Sequence, residues 1–179
     1  MNPGDIKKIL YTADDLAKVV DGIAARINAD YAGERLLVVA ILKGSSVFMA
    51  DLIRKLDVDV DIDFMIVSSY GSAAQSSGKV DIKCDLRTDI AGRHVLLIED
   101  IIDTGLTLSK LAEELETRNP ASVEIAALMI KDIEREHEIE PKYVGLVCPD
   151  EFVVGYGLDY NEMYRQLPYV GVLDEKVYS

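Results

Sequence analysis

Apolar residues recur at three different spacings in the first third of the chain, and each spacing predicts one kind of element. From residues 16 to 27 they lie three or four positions apart, which predicts an amphipathic helix. Thr12 and Asp15 form a variant of the helix-opening capping box, with Asp in place of the usual Glu. Residues 36–42 form one continuous apolar run, which is typical of a strand buried on both faces. From residue 58 to 64 Asp alternates with apolar residues, which predicts a strand with one wet face.

The alternation of strand and helix patterns continues through the middle of the chain. Two further helices and two further strands are predicted, at residues 47–56 and 106–115 and at residues 95–98 and 123–130. Asn119-Pro120 stops the helix at 106–115, and a Ser- and Gly-rich segment at 68–78 predicts a long mobile loop or a hairpin tip. This alternation predicts the α/β class, with a central, mostly parallel sheet flanked by helices. Beyond Tyr143, short apolar pieces broken by Gly and Pro predict an irregular C-terminal region. We expect residues 1–179 to form a single domain.

Charge and composition exclude several classes of function. The chain has 32 Asp and Glu against 19 Lys and Arg, a formal net charge of −13. Because duplex binding needs clustered cations, we expect no nucleic-acid partner. No apolar run approaches the roughly 20 residues of a membrane span, and the first residues lack the pattern of a secretory signal. We therefore expect a cytoplasmic protein without a membrane partner, in which Cys84 and Cys148 are reduced, buried thiols.

One segment carries most of the chemistry. The apolar strand at 95–98 is followed by two adjacent carboxylates, Glu99 and Asp100, and then by a Thr-Gly-x-Thr turn at 104–107 that opens a helix. In open α/β sheets, ligands bind beyond the carboxyl ends of the strands. The N–H groups and positive dipole end of the following helix can bind a phosphate, and Gly105 lets the backbone approach an oxyanion closely.

The carboxylates of this segment suit a different group. Glu99, Asp100 and Asp103 would repel a phosphate, whereas ribose hydroxyls, a metal ion or a proton to be abstracted would each fit them. The alternative reading is a buried strand with a polar exit loop and a capped helix. The GxxxxGK[ST] and GxGxxG fingerprints of other nucleotide sites are absent from the sequence.

These residues resemble a known family. The segment at 98–105 resembles the phosphoribosyl-diphosphate signature of type I phosphoribosyltransferases, and the segment at 151–160 resembles the purine-binding segment of the hypoxanthine-guanine branch. Lys43-Gly44, Ser69-Tyr70 and Lys131 occur in the matching order, so that the resemblance spans residues 36 to 173.

The resemblance implies an activity and an architecture. Members of this branch work in purine salvage. They transfer the 5-phosphoribosyl group from 5-phospho-α-D-ribose 1-diphosphate (PRPP) to N9 of hypoxanthine or guanine, giving IMP or GMP and diphosphate, with Mg2+ as cofactor. The implied fold is the type I phosphoribosyltransferase fold, in which an irregular hood covers the purine site. The hood is formed here by about residues 131–179 together with N-terminal residues. The resemblance also implies a homo-oligomer, either a dimer or a tetramer.

The resemblance also implies a role for each matching residue. Glu99 and Asp100 would hold the ribose hydroxyls directly or through the metal, and Asp103 would lie near purine N7 as a general base or a hydrogen-bond acceptor. Some relatives carry Lys where this chain has Leu106, so main-chain donors are expected to bind the 5-phosphate. That phosphate turn is Asp103, Thr104, Gly105, Leu106 and Thr107.

The remaining roles concern the diphosphate, the purine and the loop. Lys43, Gly44 and Arg165 would contact the diphosphate, and the Leu42–Lys43 peptide bond is expected to be able to adopt the cis form. Ser69 and Tyr70 would open the flexible loop that closes over the site. The purine would be bound by Lys131 at its 6-oxo group, by stacking on Phe152, and by Val153 and Asp159. Asp159 would also bind the metal together with Glu99 and Asp100.

Two alternatives remain open. One is a relative that prefers xanthine or another base. The other is a regulator that kept the fold and binds nucleotide or RNA without catalysis. His94 and His137 lie outside all the matching motifs and are expected to be surface or strand-flanking residues.

Overall fold

The computed structural model describes residues 4–68, 80–134 and 139–178. Its strands are β1 (Ile6–Tyr11), β2 (Arg35–Ile41), β3 (Asp59–Ser68), β4 (Asp81–Cys84), β5 (His94–Ile102), β6 (Ser122–Lys131), β7 (Tyr143–Cys148), β8 (Val153–Val154) and β9 (Val170–Leu173). Its helices are α1 (Ala13–Asp30), α2 (Ser46–Ile53) and α3 (Leu106–Glu116), with a final 3-10 turn over Glu175–Val177.

The larger of two sheets has six strands in the order β4-β3-β2-β5-β6-β7. All neighbours are parallel except β3 and β4, which confirms the predicted α/β class and mostly parallel sheet. Strand β2 shows why its sequence is continuously apolar. Leu36, Val38 and Ala40 pack in the core with α1 and α2, while Leu37, Val39 and Ile41 pack with α3 on the other face. Burial of a Leu or Val side chain contributes about 1.5–3 kcal/mol, so both faces of this strand stabilise the domain.

Helix α1 begins as its sequence predicts. The Asp15 N–H donates to Thr12 Oγ1 at 3.2 Å, and the Thr12 N–H donates to Asp15 Oδ2 at 3.0 Å, so Asp replaces Glu in a complete capping box. The predicted apolar stripe faces the sheet through Leu16, Val20 and Ile27.

Strand β3 alternates as predicted, but its exposed face is the apolar one. Ile62, Phe64 and Ile66 are exposed, whereas Asp63 is buried. The Asp63 carboxylate accepts hydrogen bonds from the Phe64, Arg87 and Thr88 N–H groups at 2.8–3.0 Å. A buried carboxylate with three backbone donors is satisfied, so an Asp can occupy the inner face. Asp63 thereby joins β3 to the segment that leads into β5.

Replacement of Asp63 by alanine is expected to lower the free energy of unfolding by about 2–4 kcal/mol, because buried N–H groups would lose their acceptor. Burial raises the pKa of Asp63, but the hydrogen bonds outweigh it and hold the pKa below its ordinary value. The carboxylate therefore stabilises the fold fully above about pH 4, and this contribution is lost as the pH falls through the lowered pKa. Urea unfolding at pH 7 and at pH 3 measures it. The exposed Asp59→Ala on the same strand is the control, and equal stability of the two variants at pH 7 would contradict the prediction.

The smaller sheet is antiparallel, with the order β1-β9-β8. It joins the start of the chain to its end, and the sequence pattern predicted neither β1 nor β4. Strand β7 pairs in parallel with β6, so this part of the expected hood extends the larger sheet. Of residues 131–179, those after β7 contribute to the small sheet, through β8 and β9. Cys148 is buried as predicted, but the prediction for Cys84 is wrong, since it lies exposed at the end of the edge strand β4. None of the described helices combines the length and hydropathy of a membrane-crossing segment.

Candidate functional site

The candidate site lies where the parallel strands β2, β5 and β6 end. The register pairs Ala40 with Ile98 and Glu99 with Ala127, so the turns after these strands meet at one edge of the sheet. Strand β5 extends to Ile102, further than predicted, which places Glu99 and Asp100 within its final residues. Loops from the C-terminal region add the remaining side chains.

The turn after β5 lines a small cavity. Gly105 precedes α3 with φ +79°, a conformation that glycine adopts without strain, and it lies against Ile139. The first N–H groups of a helix have no partner within the helix, and the helix dipole favours an anion there. The cavity measures about 160 Å3. The side chains and backbone that line it include Glu99, Asp103, Thr104, Gly105 and Thr107.

The two adjacent carboxylates are held in a low-dielectric position. Burial and the neighbouring Asp100 raise the pKa of Glu99 well above its ordinary value. Burial also raises the pKa of Asp100 to about 6, although the Ile101 N–H donates to it at 2.7 Å. Glu99 Oε2 is buried and has no hydrogen-bond partner among the residues that the structure describes. Because such an atom is costly to bury, the pair is arranged for a cation or for hydroxyl donors.

The turn after β2 contacts this carboxylate pair. The Leu42–Lys43 peptide bond is cis, as the family resemblance had allowed. A methyl group built on Gly44 would overlap the Asp100 carboxylate, and one built on Gly157 would overlap the Gly44 carbonyl oxygen. Glycine at these two positions is therefore what permits the β2 turn, strand β5 and the C-terminal loop to approach one another.

The adjacent cavity measures about 320 Å3. It is lined by two cations, Lys43 and Arg165, and by the carboxylates of Asp159, Glu99 and Asp100. Lys43 extends from the β2 turn and Arg165 from the C-terminal loop. Arg165 donates to the Gly157 carbonyl at 2.7 Å and forms an ion pair with Asp159 Oδ1 at 2.9 Å. Glu162, which the sequence did not single out, pairs with Lys43 Nζ at 2.9 Å.

The third group of side chains lies at the end of β6. Lys131 Nζ is 3.7 Å from Asp103 Oδ2 and 3.3 Å from Asp150 Oδ1, so a cation stands between two carboxylates. Asp103 and Lys131 were predicted as site residues, whereas Asp150 was not. No local signal distinguished Asp150, because its contact with Lys131 depends on the pairing of β6 with β7.

An aromatic group completes this end of the site. Phe152 is 40% exposed, so it is not a core aromatic. Its ring stacks on Tyr178 with centroids 5.1 Å apart and contacts Tyr160 edge-on at 5.6 Å. Val153 follows in β8. The sequence did not identify the two tyrosines.

The remaining residues singled out in the sequence are Ser69, Tyr70 and the two histidines. Ser69, Tyr70 and His137 are outside the described residues. His94 lies at the opposite end of β5, where Nδ1 is 2.8 Å from Ser122 Oγ, so it flanks a strand as expected.

The carboxylates of the site are candidate ligands for a divalent cation. Within residues 4–68, 80–134 and 139–178, no three His, Cys, Asp or Glu side chains converge closely enough to hold a metal ion by themselves. Mg2+ in phosphate-transfer sites is commonly held by one or two carboxylates, with substrate oxygens and waters as the other ligands. Glu99 and Asp100, with one unpartnered buried oxygen, fit that arrangement.

This chain is similar to known proteins of one family. Residues 8–161 match the family described as phosphoribosyl transferase domain. The chain is 50% identical over its full length to the hypoxanthine-guanine phosphoribosyltransferase of Streptococcus pneumoniae, of which it covers 99%. It superposes on hypoxanthine phosphoribosyltransferase from Staphylococcus aureus with a TM-score of 0.93 and 48% identity, over 98% of this chain and 95% of that one.

A second solved structure comes from Trypanosoma cruzi. The hypoxanthine phosphoribosyltransferase of Trypanosoma cruzi, solved as a mutant in a ternary substrates complex, matches with a TM-score of 0.92 and 40% identity. The match covers 98% of this chain and 99% of that one.

Proposed function

This chain belongs to the phosphoribosyl transferase domain family, and on that premise we propose that it is a purine-salvage hypoxanthine-guanine phosphoribosyltransferase. It transfers the 5-phosphoribosyl group of PRPP to N9 of hypoxanthine or guanine, giving IMP or GMP and diphosphate. Identity of 50% over the whole chain supports this activity. The dimer or tetramer inferred from the sequence stays a prediction.

The observation that carries the proposal is the spacing of Lys131 and Asp103. A 6-oxopurine presents its 6-oxygen and its N7 side by side on one edge. Lys131 is a donor and Asp103 an ionisable acceptor, and their charged atoms lie 3.7 Å apart. The pair therefore suits an oxygen acceptor beside an N7–H donor. An ammonium group has donors only, so the 6-amino group of adenine finds no acceptor at Lys131.

The other groups place the ribose and the phosphates. The phosphate turn, residues 103–107, binds the 5-phosphate through its N–H groups and the hydroxyls of Thr104 and Thr107. Glu99 and Asp100 accept hydrogen bonds from the ribose hydroxyls directly or through the metal. Lys43, the Gly44 backbone and Arg165 bind the diphosphate at the neighbouring cavity. The purine lies between Phe152 and the Lys131–Asp103 pair.

We assign Glu99 and Asp100 as the residues that would hold Mg2+ beside the ribose, and Asp159 as a ligand that would hold it on the diphosphate side. When bound, the ion would supply positive charge that favours departure of the diphosphate. Asp103 accepts the N7 proton or its hydrogen bond, so that electron density at N9 increases as N9 bonds to the ribose carbon and the bond to diphosphate breaks. Closure by the loop that contains Ser69 and Tyr70 would exclude water from the electron-poor ribose carbon.

The first experiment is a spectrophotometric assay with PRPP and Mg2+. Hypoxanthine, guanine, xanthine and adenine are offered separately. Turnover of 6-oxopurines without turnover of adenine is expected. Protein that binds PRPP or GMP but turns over no base would refute the enzyme assignment and favour a regulator.

Replacement of Gly44 by alanine is expected to lower kcat/KM for PRPP roughly 10- to 100-fold, since a methyl group would displace the Asp100 carboxylate from its position. Gly22→Ala is the matched control, because nothing lies within 4 Å of the methyl group that it adds. Steady-state kinetics with PRPP as the varied substrate measures the effect, and circular dichroism checks the fold. Normal kinetics for Gly44→Ala would remove the requirement for glycine at the site.

A further inference from the structure

Glu162 contacts the diphosphate side of the site through three of its atoms, two in the carboxylate and one in the backbone. Its Oε2 is 2.9 Å from Lys43 Nζ, and its Oε1 is 3.5 Å from an Arg165 guanidinium nitrogen. Its backbone N–H donates to Asp159 Oδ2 at 2.9 Å. One carboxylate thus spans both of the cations that are assigned to the diphosphate.

The backbone conformation around Glu162 orients its carboxylate. Asn161 and Glu162 have φ values of 49° and 62°, in the left-handed region that residues other than glycine rarely adopt. A bridge between Tyr160 and Met163 closes the turn, with reciprocal backbone hydrogen bonds at 3.2 and 3.0 Å. The turn directs Glu162 back toward Lys43, which lies 119 residues earlier in the chain.

The charges are arranged as they would be around a bound anion. Two carboxylate oxygens face two cations, as two diphosphate oxygens would. Lys43 and Arg165 lower the pKa of Glu162 below its ordinary value, with Lys43 the larger influence. The carboxylate is therefore ionised at neutral pH and competes for the same cations as an incoming anion.

We propose that Glu162 is an internal competitor of the diphosphate group. Its carboxylate pairs with Lys43 and Arg165 in the free enzyme. These ion pairs break when PRPP binds, and they form again when diphosphate leaves. This inference rests on the proposed function, which supplies the anion. It assigns to Glu162 a positioning role, since the residue acts through two cations and does not touch the purine.

The test is calorimetric binding of magnesium diphosphate and of PRPP to the full chain. Glu162→Gln is expected to bind both roughly two- to tenfold more tightly than wild type, the effect of removing two exposed ion pairs. Its KM for PRPP falls correspondingly, while its KM for hypoxanthine is unchanged. Glu162→Asp keeps the charge but is too short to reach both cations, so it is expected to move most of the way toward the Gln variant.

A matched control removes the same charge elsewhere. Glu116→Gln, on the exposed end of α3, is expected to bind diphosphate as wild type does. Unchanged or weaker diphosphate binding by Glu162→Gln would overturn the inference. Wild-type affinity in Glu162→Asp would also overturn it, because local charge alone would then account for the effect. If wild type neither binds PRPP nor turns over a base, the proposed function itself fails.

Discussion

Replacement of Asp103 by alanine is expected to reduce kcat about 10²- to 10⁴-fold, the usual contribution of a positioned general base. The Asp103 side chain lies at the start of the phosphate turn, and its Oδ2 is 3.7 Å from Lys131 Nζ. From there it can reach N7 of a bound 6-oxopurine. Affinity for PRPP and GMP should be retained, because the N–H groups of the turn do not depend on this carboxylate. Steady-state turnover together with equilibrium GMP binding measures both quantities.

Two further variants sharpen this prediction. Asp103→Asn keeps the shape and one hydrogen-bond acceptor but cannot take up a proton at neutral pH. If Asp103→Asn loses as much turnover as Asp103→Ala, the carboxylate takes up a proton. If Asp103→Asn keeps near-normal turnover, the side chain acts only as a hydrogen-bond acceptor. Asp14→Ala, on the exposed first turn of α1, controls for the change in net charge. Unchanged turnover in Asp103→Ala would remove this residue from the mechanism.

Replacement of Lys131 by glutamine is expected to lower kcat/KM for hypoxanthine and guanine roughly 10- to 150-fold. A hydrogen bond to a charged group contributes about 1.5–3 kcal/mol, and each 1.4 kcal/mol corresponds to a factor of about ten. The glutamine amide has an acceptor as well as donors, so discrimination against adenine should weaken at the same time. Parallel assays with hypoxanthine, guanine and adenine measure the loss and the change in selectivity.

The control for this variant is Lys18→Gln, an exposed lysine on α1, which should leave all three rates unchanged. If Lys131→Gln loses activity with 6-oxopurines but rejects adenine as strictly as wild type, base selection lies elsewhere. The backbone near Val153 would then be the next candidate for base selection. Retained hypoxanthine activity would show that Lys131 does not contact the 6-oxygen.

The features that were predictable from sequence are those whose signal is local. The continuous apolar run of β2 and the motif around Glu99, Asp100 and Gly105 each occupy a few consecutive residues. A parallel sheet then brings such segments to one edge without further information. The capping box of α1 was likewise readable, since its partners, Thr12 and Asp15, are three residues apart.

The features that were missed depend on contacts between distant segments. Glu162 reaches Lys43 across 119 residues, and Asp150 reaches Lys131 across 19. Strand β3 shows the same limit, because the alternation gives the period of a strand but not which face is buried. Three backbone donors to Asp63 decided that face, and two of them come from Arg87 and Thr88.

The position of β9 has a consequence for synthesis on the ribosome. It is the last strand to be made, yet it lies between β1, which is made first, and β8, which follows the aromatic Phe152. A growing chain can assemble the phosphate turn once β6 has emerged, but β1 has no partner until Val170–Leu173 is released. The nascent protein would thus gain the phosphate turn and the Lys131–Asp103 pair before the small sheet that holds Phe152. A chain that ends before β9 would lack the hydrogen bond from the Leu173 N–H to the Phe152 carbonyl oxygen.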